Sequence, residues 1–313
     1  MGKLPLAAVV GPTAAGKTDV AIELAKLLGG EIVSADSMLI YRGMDIGTAK
    51  PALAQRQGIP HHMIDVADIA EEYSAARYAK EAKMCIADIH KRKKLPIVTG
   101  GTGLYINALT YPMDFGRAAG SAEFREKMHR LAQEKGQGAL YALLCEKDPG
   151  TACRLHPNDM RRIVRALEIK ELTGKSMSEI KTDYKERESG YDLAMLGITL
   201  ERAKLYERID RRVEMMLEGG LLHEVRGILE KGYDESHTSL QGLGYKELIM
   251  YLRGMLTFED AVERIKRSTR RFAKRQLTWF RRDERIRWYD RADYGSAKDL
   301  AQAMAQEIRR AIL

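Results

Sequence analysis

Gly11-Pro12-Thr13-Ala14-Ala15-Gly16-Lys17-Thr18 sets two glycines four residues apart and follows them with Lys and Thr, the pattern of a phosphate loop. The chemistry it suggests is anion binding. Glycines let successive backbone N–H groups converge on phosphate oxygens, a helix N-terminus adds partial positive charge, Lys17 adds a full one, and the Thr18 hydroxyl suits Mg²⁺. Two further sets of residues have types that would complete such a site. Asp36 is a carboxylate at the C-terminal end of the run Glu31 to Asp36, where ligands bind in open α/β sheets, although it also reads as a turn residue capping the next segment. Arg208 and Arg212 stand one helical turn apart, where two guanidiniums can clamp a diphosphate or simply pair with Glu201, Glu207 and Asp210.

These residues need a scaffold, and the pattern around them supplies it. The apolar run Leu6 to Val10 leads into the loop, and Val20, Leu24, Leu27 and Leu28 recur behind it with helical spacing. Strand, loop and helix therefore follow in the order the motif requires. Glu31 to Asp36 is a second strand, Tyr41 to Pro51 is loop-like, and Tyr73 to Lys94 is an amphipathic helix ending in cations that suit its C-terminus. Leu95 to Val98 is a third strand running into the glycine-rich loop Thr99 to Gly103, where Thr102 offers a hydroxyl. Adjacent His61 and His62 diverge on any regular element and lack a carboxylate at ligand spacing, which argues against a metal. The expected fold class is α/β, a P-loop core whose parallel sheet is covered by helices on both faces. From about residue 114 to 190 the pattern turns helical, so an all-helical insert domain is expected there, with residues 1–113 and 191–313 forming the core. Inside the insert, Arg161, Arg162 and Arg165 share one side of a helix and could grip a phosphate or be solvated. Asp192 to Leu200 returns to strand character and Glu201 to Glu218 to helix. Gln241-Gly242-Leu243-Gly244-Tyr245-Lys246 offers a planar ring and a cation for base stacking and phosphate contact, or a helix entry turn.

Bulk properties narrow the partners. The 313 residues are 45% hydrophobic, ordinary for a soluble globular protein, and no apolar run approaches membrane-spanning length. A cytoplasmic protein without membrane contact is expected, and a monomer. Cys85, Cys145 and Cys153 are too widely spaced for a zinc or redox motif and read as reduced structural residues. The net charge of +8 is not spread evenly: residues 264–291 hold 12 Lys/Arg against 3 Asp/Glu, a local +9 that leaves about −1 for the rest. Such a patch is the footprint of a polyanion partner. Within it Ile265, Phe272 and Trp279 recur every seven residues, which reads as an inward stripe on a long basic helix.

The segments GPTAAGKT, SADSMLIYRGMDIGTAKP, PHHMIDV, VTGGTGLY, NDMRRIVRALE, GLGYKE and AKRQLTWFRR, in this order along nearly the whole chain, resemble the tRNA dimethylallyltransferases. That resemblance implies transfer of a dimethylallyl group from dimethylallyl diphosphate to N6 of adenosine 37 beside the tRNA anticodon. It implies that Gly11 to Thr18 cradle the donor's diphosphate with Mg²⁺ on Thr18, that Asp36 deprotonates N6, and that Arg208 and Arg212 match an arginine region contacting diphosphate. It further implies contacts with the tRNA anticodon stem-loop from Asp36, Ser37, Met38 and Leu39, from Thr102, from Arg161, Arg162, Ile163, Val164 and Arg165, and from Gln241 to Lys246. The chain has no cysteine after Cys153, so it resembles the shorter bacterial type without a C-terminal zinc finger. A small-molecule P-loop kinase and an adenylate isopentenyltransferase acting on free nucleotide share parts of the pattern, but neither needs the basic patch.

Overall fold

A computed structural model of the chain describes residues 2–113, 120–177, 179–180 and 188–313. In chain order the core begins with β1 (Leu4–Val10), α1 (Lys17–Leu28), β2 (Gly30–Ser34), β3 (His61–His62), α2 (Ala75–Lys91), β4 (Leu95–Gly100) and α3 (Gly103–Thr110). The helices α4 (Ala122–Lys135), α5 (Gln137–Lys147), α6 (Pro149–Ala152) and α7 (Met160–Thr173) follow. The core resumes with β5 (Tyr191–Thr199), α8 (Arg202–Glu218), α9 (Leu221–Glu230), α10 (Tyr245–Leu252), α11 (Phe258–Phe280), β6 (Ile286–Asp290) and α12 (Ala297–Ile312).

The six strands form one sheet in the order β3-β2-β4-β1-β5-β6, parallel at every pairing. β1 is central, and Leu6 to Val10 are all fully buried, which is why the run is continuously apolar instead of alternating. On one face Val9, Ile32, Ile97 and Leu196 pack against Val20 and Leu24 of α1 and Met304 and Ile308 of α12. On the other, Leu6, Val10 and Val98 meet Tyr78 and Ile86 of α2, Ile106 of α3 and Phe280 of α11. Tyr78 stacks on Tyr105 at 4.0 Å between ring centroids. A third cluster joins the connections after β2, through Ile40 and Met44, and after β3, through Ile69, to Leu221, Tyr245, Leu248 and Ile265 of α9, α10 and α11. That cluster gives an otherwise irregular segment a fixed place beside the strand ends.

The chain divides into Met1–Thr110 with Gly190–Leu313, and Tyr111–Ser189. The sequence put the divide at residues 114 and 190, and residue 114 lies outside the described residues. The second unit is helical among its described residues and packs Met128, Leu140, Leu144, Ile163 and Leu167 together. Its fully buried Glu168 accepts from Ser121 N at 2.8 Å and Arg125 Nε at 3.0 Å and pairs with Arg165. Burial alone would raise that carboxyl's pKa; Arg165, the Ser121 amide and Arg125 more than offset it and hold it low.

α11 corrects one expectation. Its buried positions are Ala261, Ile265, Ala273, Gln276 and Phe280, whereas Trp279 is 40% exposed and Phe272 only partly covered. A seven-residue repeat drifts around a helix of 3.6 residues per turn, and two alanines carry the packing that the aromatic residues suggested. No helix among the described residues is long and apolar enough to cross a membrane.

Candidate active site

A cavity of about 450 Å³ opens at the C-terminal ends of the strands, walled by the phosphate loop, the ends of β2 and β4, the segments 36–51 and 241–246, and α8 and α11. Gly16 caps α1 in the left-handed region at φ 88°, the conformation for which the motif needs glycine. Thr13, Lys17 and Thr18 line the cavity; Gly11, Pro12 and Ala15 are buried behind them, and Ala14 packs beside Leu205, Ile209 and Ala273. Lys17 Nζ donates to the Pro12 carbonyl at 2.7 Å, which keeps the ammonium folded over the loop.

Asp36 faces Lys17 and Arg212 across this space. Burial lowers the Lys17 pKa to about 8, the Asp36 carboxylate opposing the shift and Arg212 adding to it. Arg212 is likewise lowered, first by burial, with Asp36 again opposing. Asp36 Oδ1 accepts from Met38 N at 2.9 Å, so one oxygen shapes the turn that puts Asp36 to Leu39 along the cavity. Arg212 donates to Thr48 O at 3.4 Å, joining α8 to the loop opposite.

The two arginines expected as a pair separate. Arg212 lines the cavity, but Arg208 is exposed and lines a different crevice with Lys204, Arg211 and Arg291. A four-residue step rotates a side chain by about 40° on a 3.6-residue helix. With Leu205, Ile209 and Val213 turned inward, that rotation leaves Arg212 at the cavity edge and Arg208 outside it.

Other expected contacts also divide by burial. Thr102 Oγ1 accepts from Ser37 N at 3.0 Å and donates to Ser37 Oγ at 3.2 Å, so it fastens the Asp36 to Leu39 segment to the second glycine loop. Gln241, Gly242, Leu243, Gly244, Tyr245 and Lys246 all line the cavity, with Gln241 and Lys246 exposed. Tyr245 takes the other reading open to this segment, a helix entry turn: its side chain is fully buried in the first turn of α10, and its hydroxyl donates to Glu224 Oε1 at 2.7 Å. In the helical unit Arg161 and Arg162 are exposed on α7 and Val164 is half-buried. Ile163 is fully buried in that unit's core and offers no side chain to an RNA, and Arg165 is already held by Glu168.

Several residues at the site stand outside the candidate residues read from the sequence. Ser34 Oγ, Thr99 Oγ1 and His61 Nε2 are buried without a hydrogen-bond partner, and all three residues line the cavity. Ser34 is the register partner of Thr99, and Ile32, two residues before Ser34, is the partner of His61, so the three share one face of the sheet. Burial lowers the His61 pKa, the Ile59 carbonyl opposing, a shift that favours the neutral imidazole. Gln276, on the cavity wall, and Glu224, which accepts from the loop amides of Asp45 to Gly47, belong to the same group.

The chain is similar to known proteins along nearly its whole length. The family model described as IPP transferase matches residues 39–283. The chain is 48% identical over 307 residues to a tRNA dimethylallyltransferase of Alkaliphilus oremlandii, covering 98% of each. It is 51% identical over 296 residues to one of Caldanaerobacter subterraneus, covering 94% of each. Among solved structures it is similar to the tRNA isopentenylpyrophosphate transferase of Bacillus halodurans, with a TM-score of 0.74 and 41% identity over 99% of this chain and 98% of that one. A eukaryotic dimethylallyltransferase acting on tRNA is similar at a TM-score of 0.79 and 32% identity, over 99% of this chain and 78% of that one.

Proposed function

The chain belongs to the IPP transferase family, and from that membership and the chemistry of the cavity we propose that it transfers a dimethylallyl group from dimethylallyl diphosphate to N6 of adenosine 37 in tRNA. The observation that carries the reading is the juxtaposition, in one cavity, of a phosphate loop with Asp36 and Arg212. The loop and Arg212 suit the donor's diphosphate, and Asp36 suits the acceptor.

The adenine amino group is a poor nucleophile because its lone pair is delocalised into the ring. Asp36 accepts a proton from N6 as the new C–N bond forms, a role that depends first on hydrogen-bond reach. On the donor the allylic C–O bond breaks and its electron pair leaves with diphosphate. Lys17, the loop amides and Arg212 face the negative charge that grows there, in a space where burial has already stripped water from both cations. The apolar wall given by Ile209, Val213, Met216 and Ile265 excludes water from the allyl cation.

The donor set fits Mg²⁺. Among the described residues no group of three or more His, Cys, Asp or Glu gathers to hold a metal ion by itself. The cavity offers instead the Thr18 hydroxyl, with the unpartnered Ser34 and Thr99 hydroxyls on its wall, as suits a hard cation that keeps several waters. Thr18 would hold the ion, which when bound supplies charge neutralisation for the leaving diphosphate.

The test is to incubate the protein with unmodified tRNA, Mg²⁺ and dimethylallyl diphosphate, digest the RNA and measure adenosine mass. A five-carbon addition on adenosine 37 is expected, with none on free AMP and no consumption of ATP. Asp36→Asn is expected to lose about 10²–10⁴-fold in turnover with donor KM little changed. Absence of the addition from every unmodified tRNA would remove the reading, and full turnover by Asp36→Asn would remove the base.

A further inference from the structure

We propose that Gln276 is a positioning residue that sets the geometry of the donor loop by spanning it to the second glycine loop, an inference that rests on the prenyl-transfer reading above. Gln276 is 5% exposed and both ends of its side-chain amide are in use. Oε1 accepts from Thr13 N at 2.8 Å, and Nε2 donates to Gly101 O at 3.0 Å. Thr13 follows β1 and Gly101 follows β4, the strand beside it, so the amide bridges two loops just where the sheet's own ladder has ended. The bridge is close-fitting: a Cβ on Gly101 would lie 2.1 Å from Gln276 Nε2.

Two consequences follow. The Thr13 N–H, one of the amides a phosphate loop presents, is given to Gln276, so anion binding falls to the amides from Ala14 onward. Those amides are held from both sides, by Gln276 through Thr13 and by Leu205, Ile209 and Ala273 around Ala14. The chemistry of the bridge admits few replacements. A carboxylate accepts from Thr13 but has nothing to donate to Gly101, an ammonium does the reverse, and a methyl leaves a buried N–H and a carbonyl unpaired. Because Gln276 stands on the helix that also carries Arg271 and Arg275 on its exposed side, the element suited to RNA is also the one that braces the donor loop.

The experiment compares wild type with Gln276→Ala and the isosteric Gln276→Glu, each first shown to be folded by a cooperative melt. Donor and tRNA KM are measured in the prenylation assay, and the affinity for inorganic diphosphate by calorimetry. Loss of the bridge is expected to raise donor KM and weaken diphosphate binding about tenfold, with tRNA KM changing less than about twofold. The Gln276→Glu defect is expected to shrink as pH falls from about 8 to about 5, because protonation of the introduced carboxyl restores a donor toward Gly101. Gly101→Ala is expected to weaken diphosphate binding in the wild-type background and to add nothing in the Gln276→Ala background. An unchanged diphosphate affinity in folded Gln276→Ala, an equal rise in donor and tRNA KM, or a pH-independent Gln276→Glu defect would overturn the proposal. A wild-type protein that prenylates no tRNA would overturn the functional reading instead, and the diphosphate titrations would still decide the role of Gln276.

Discussion

Lys17 is the residue on which the pH dependence of donor binding turns. Its pKa is lowered to about 8 by burial, with Asp36 opposing, so below that pH the ammonium is present and ready for diphosphate. Above it the free protein holds a neutral amine, and binding must take up a proton. The kcat/KM for the donor is therefore expected to break near pH 8 and fall by up to tenfold per unit beyond it. Lys17→Arg, whose guanidinium stays charged, is expected to lose the break. A wild-type profile that stays flat through that region would refute the assignment. Lys17, Thr18 and Asp36 were legible in the sequence because a local motif and a strand end place them without reference to the rest of the chain. Arg212 was legible only as one of two arginines, since the choice between it and Arg208 depends on which side of α8 packs inward. Ser34, Thr99 and Gln276 lie inside segments that carry the family resemblance, but no spacing pattern gives them a role, and Gln276 meets Thr13 across 263 positions.

At the scale of elements, one carboxylate organises a loop that has no strand or helix of its own. Glu224 on α9 accepts from Asp45 N at 2.8 Å, Ile46 N at 2.7 Å, Gly47 N at 3.1 Å and the Tyr245 hydroxyl at 2.7 Å. This holds Gly47, Thr48 and Ala49 on the cavity wall. Glu224→Ala strands three backbone donors and a phenol, and is expected to cost about 2–4 kcal/mol in stability, whereas Tyr245→Phe, which removes one donor, is expected to cost about 1 kcal/mol. Urea denaturation of the two variants measures the difference, and equal losses would show that the carboxylate does not organise the loop. The irregular character of residues 41–51 was legible from its glycines and proline, but the clamp lies on a helix almost 180 positions away. Two strands were missed for different reasons. β3 is two histidines with no alternation to see, and β6 lies within a run of arginines whose charge masks its Ile286, Trp288 and Tyr289. The strands β1, β2, β4 and β5 were visible because burial in a parallel sheet gives each of them a short apolar run.

For the whole molecule the question is how much of the local +9 is free to meet a polyanion. Five of the twelve cations are already engaged: Lys266 pairs with Glu214, Arg270 takes Asp210 with two bonds of 2.8 Å, Arg285 pairs with Asp283, Arg287 with Glu307, and Arg291 donates to the Tyr294 carbonyl. Counting charge along the sequence could not show this, because Asp210, Glu214 and Glu307 stand on other helices. The remaining seven, Arg264, Arg267, Arg271, Lys274, Arg275, Arg281 and Arg282, are exposed and have no ion-pair partner among the described residues. Each phosphate they neutralise contributes about 0.7–0.9 to the slope of log affinity against log salt. The double variant Arg267→Ala/Arg271→Ala is therefore expected to lower that slope for tRNA by about 1.5 and weaken binding at low salt. Arg270→Ala, which breaks the pair with Asp210, is expected to lower the melting temperature and leave the slope unchanged. Titrating tRNA at several salt concentrations separates the two. Equal slope changes from paired and unpaired arginines would mean that this helix meets RNA through a diffuse field, with no division between structural and RNA-facing cations.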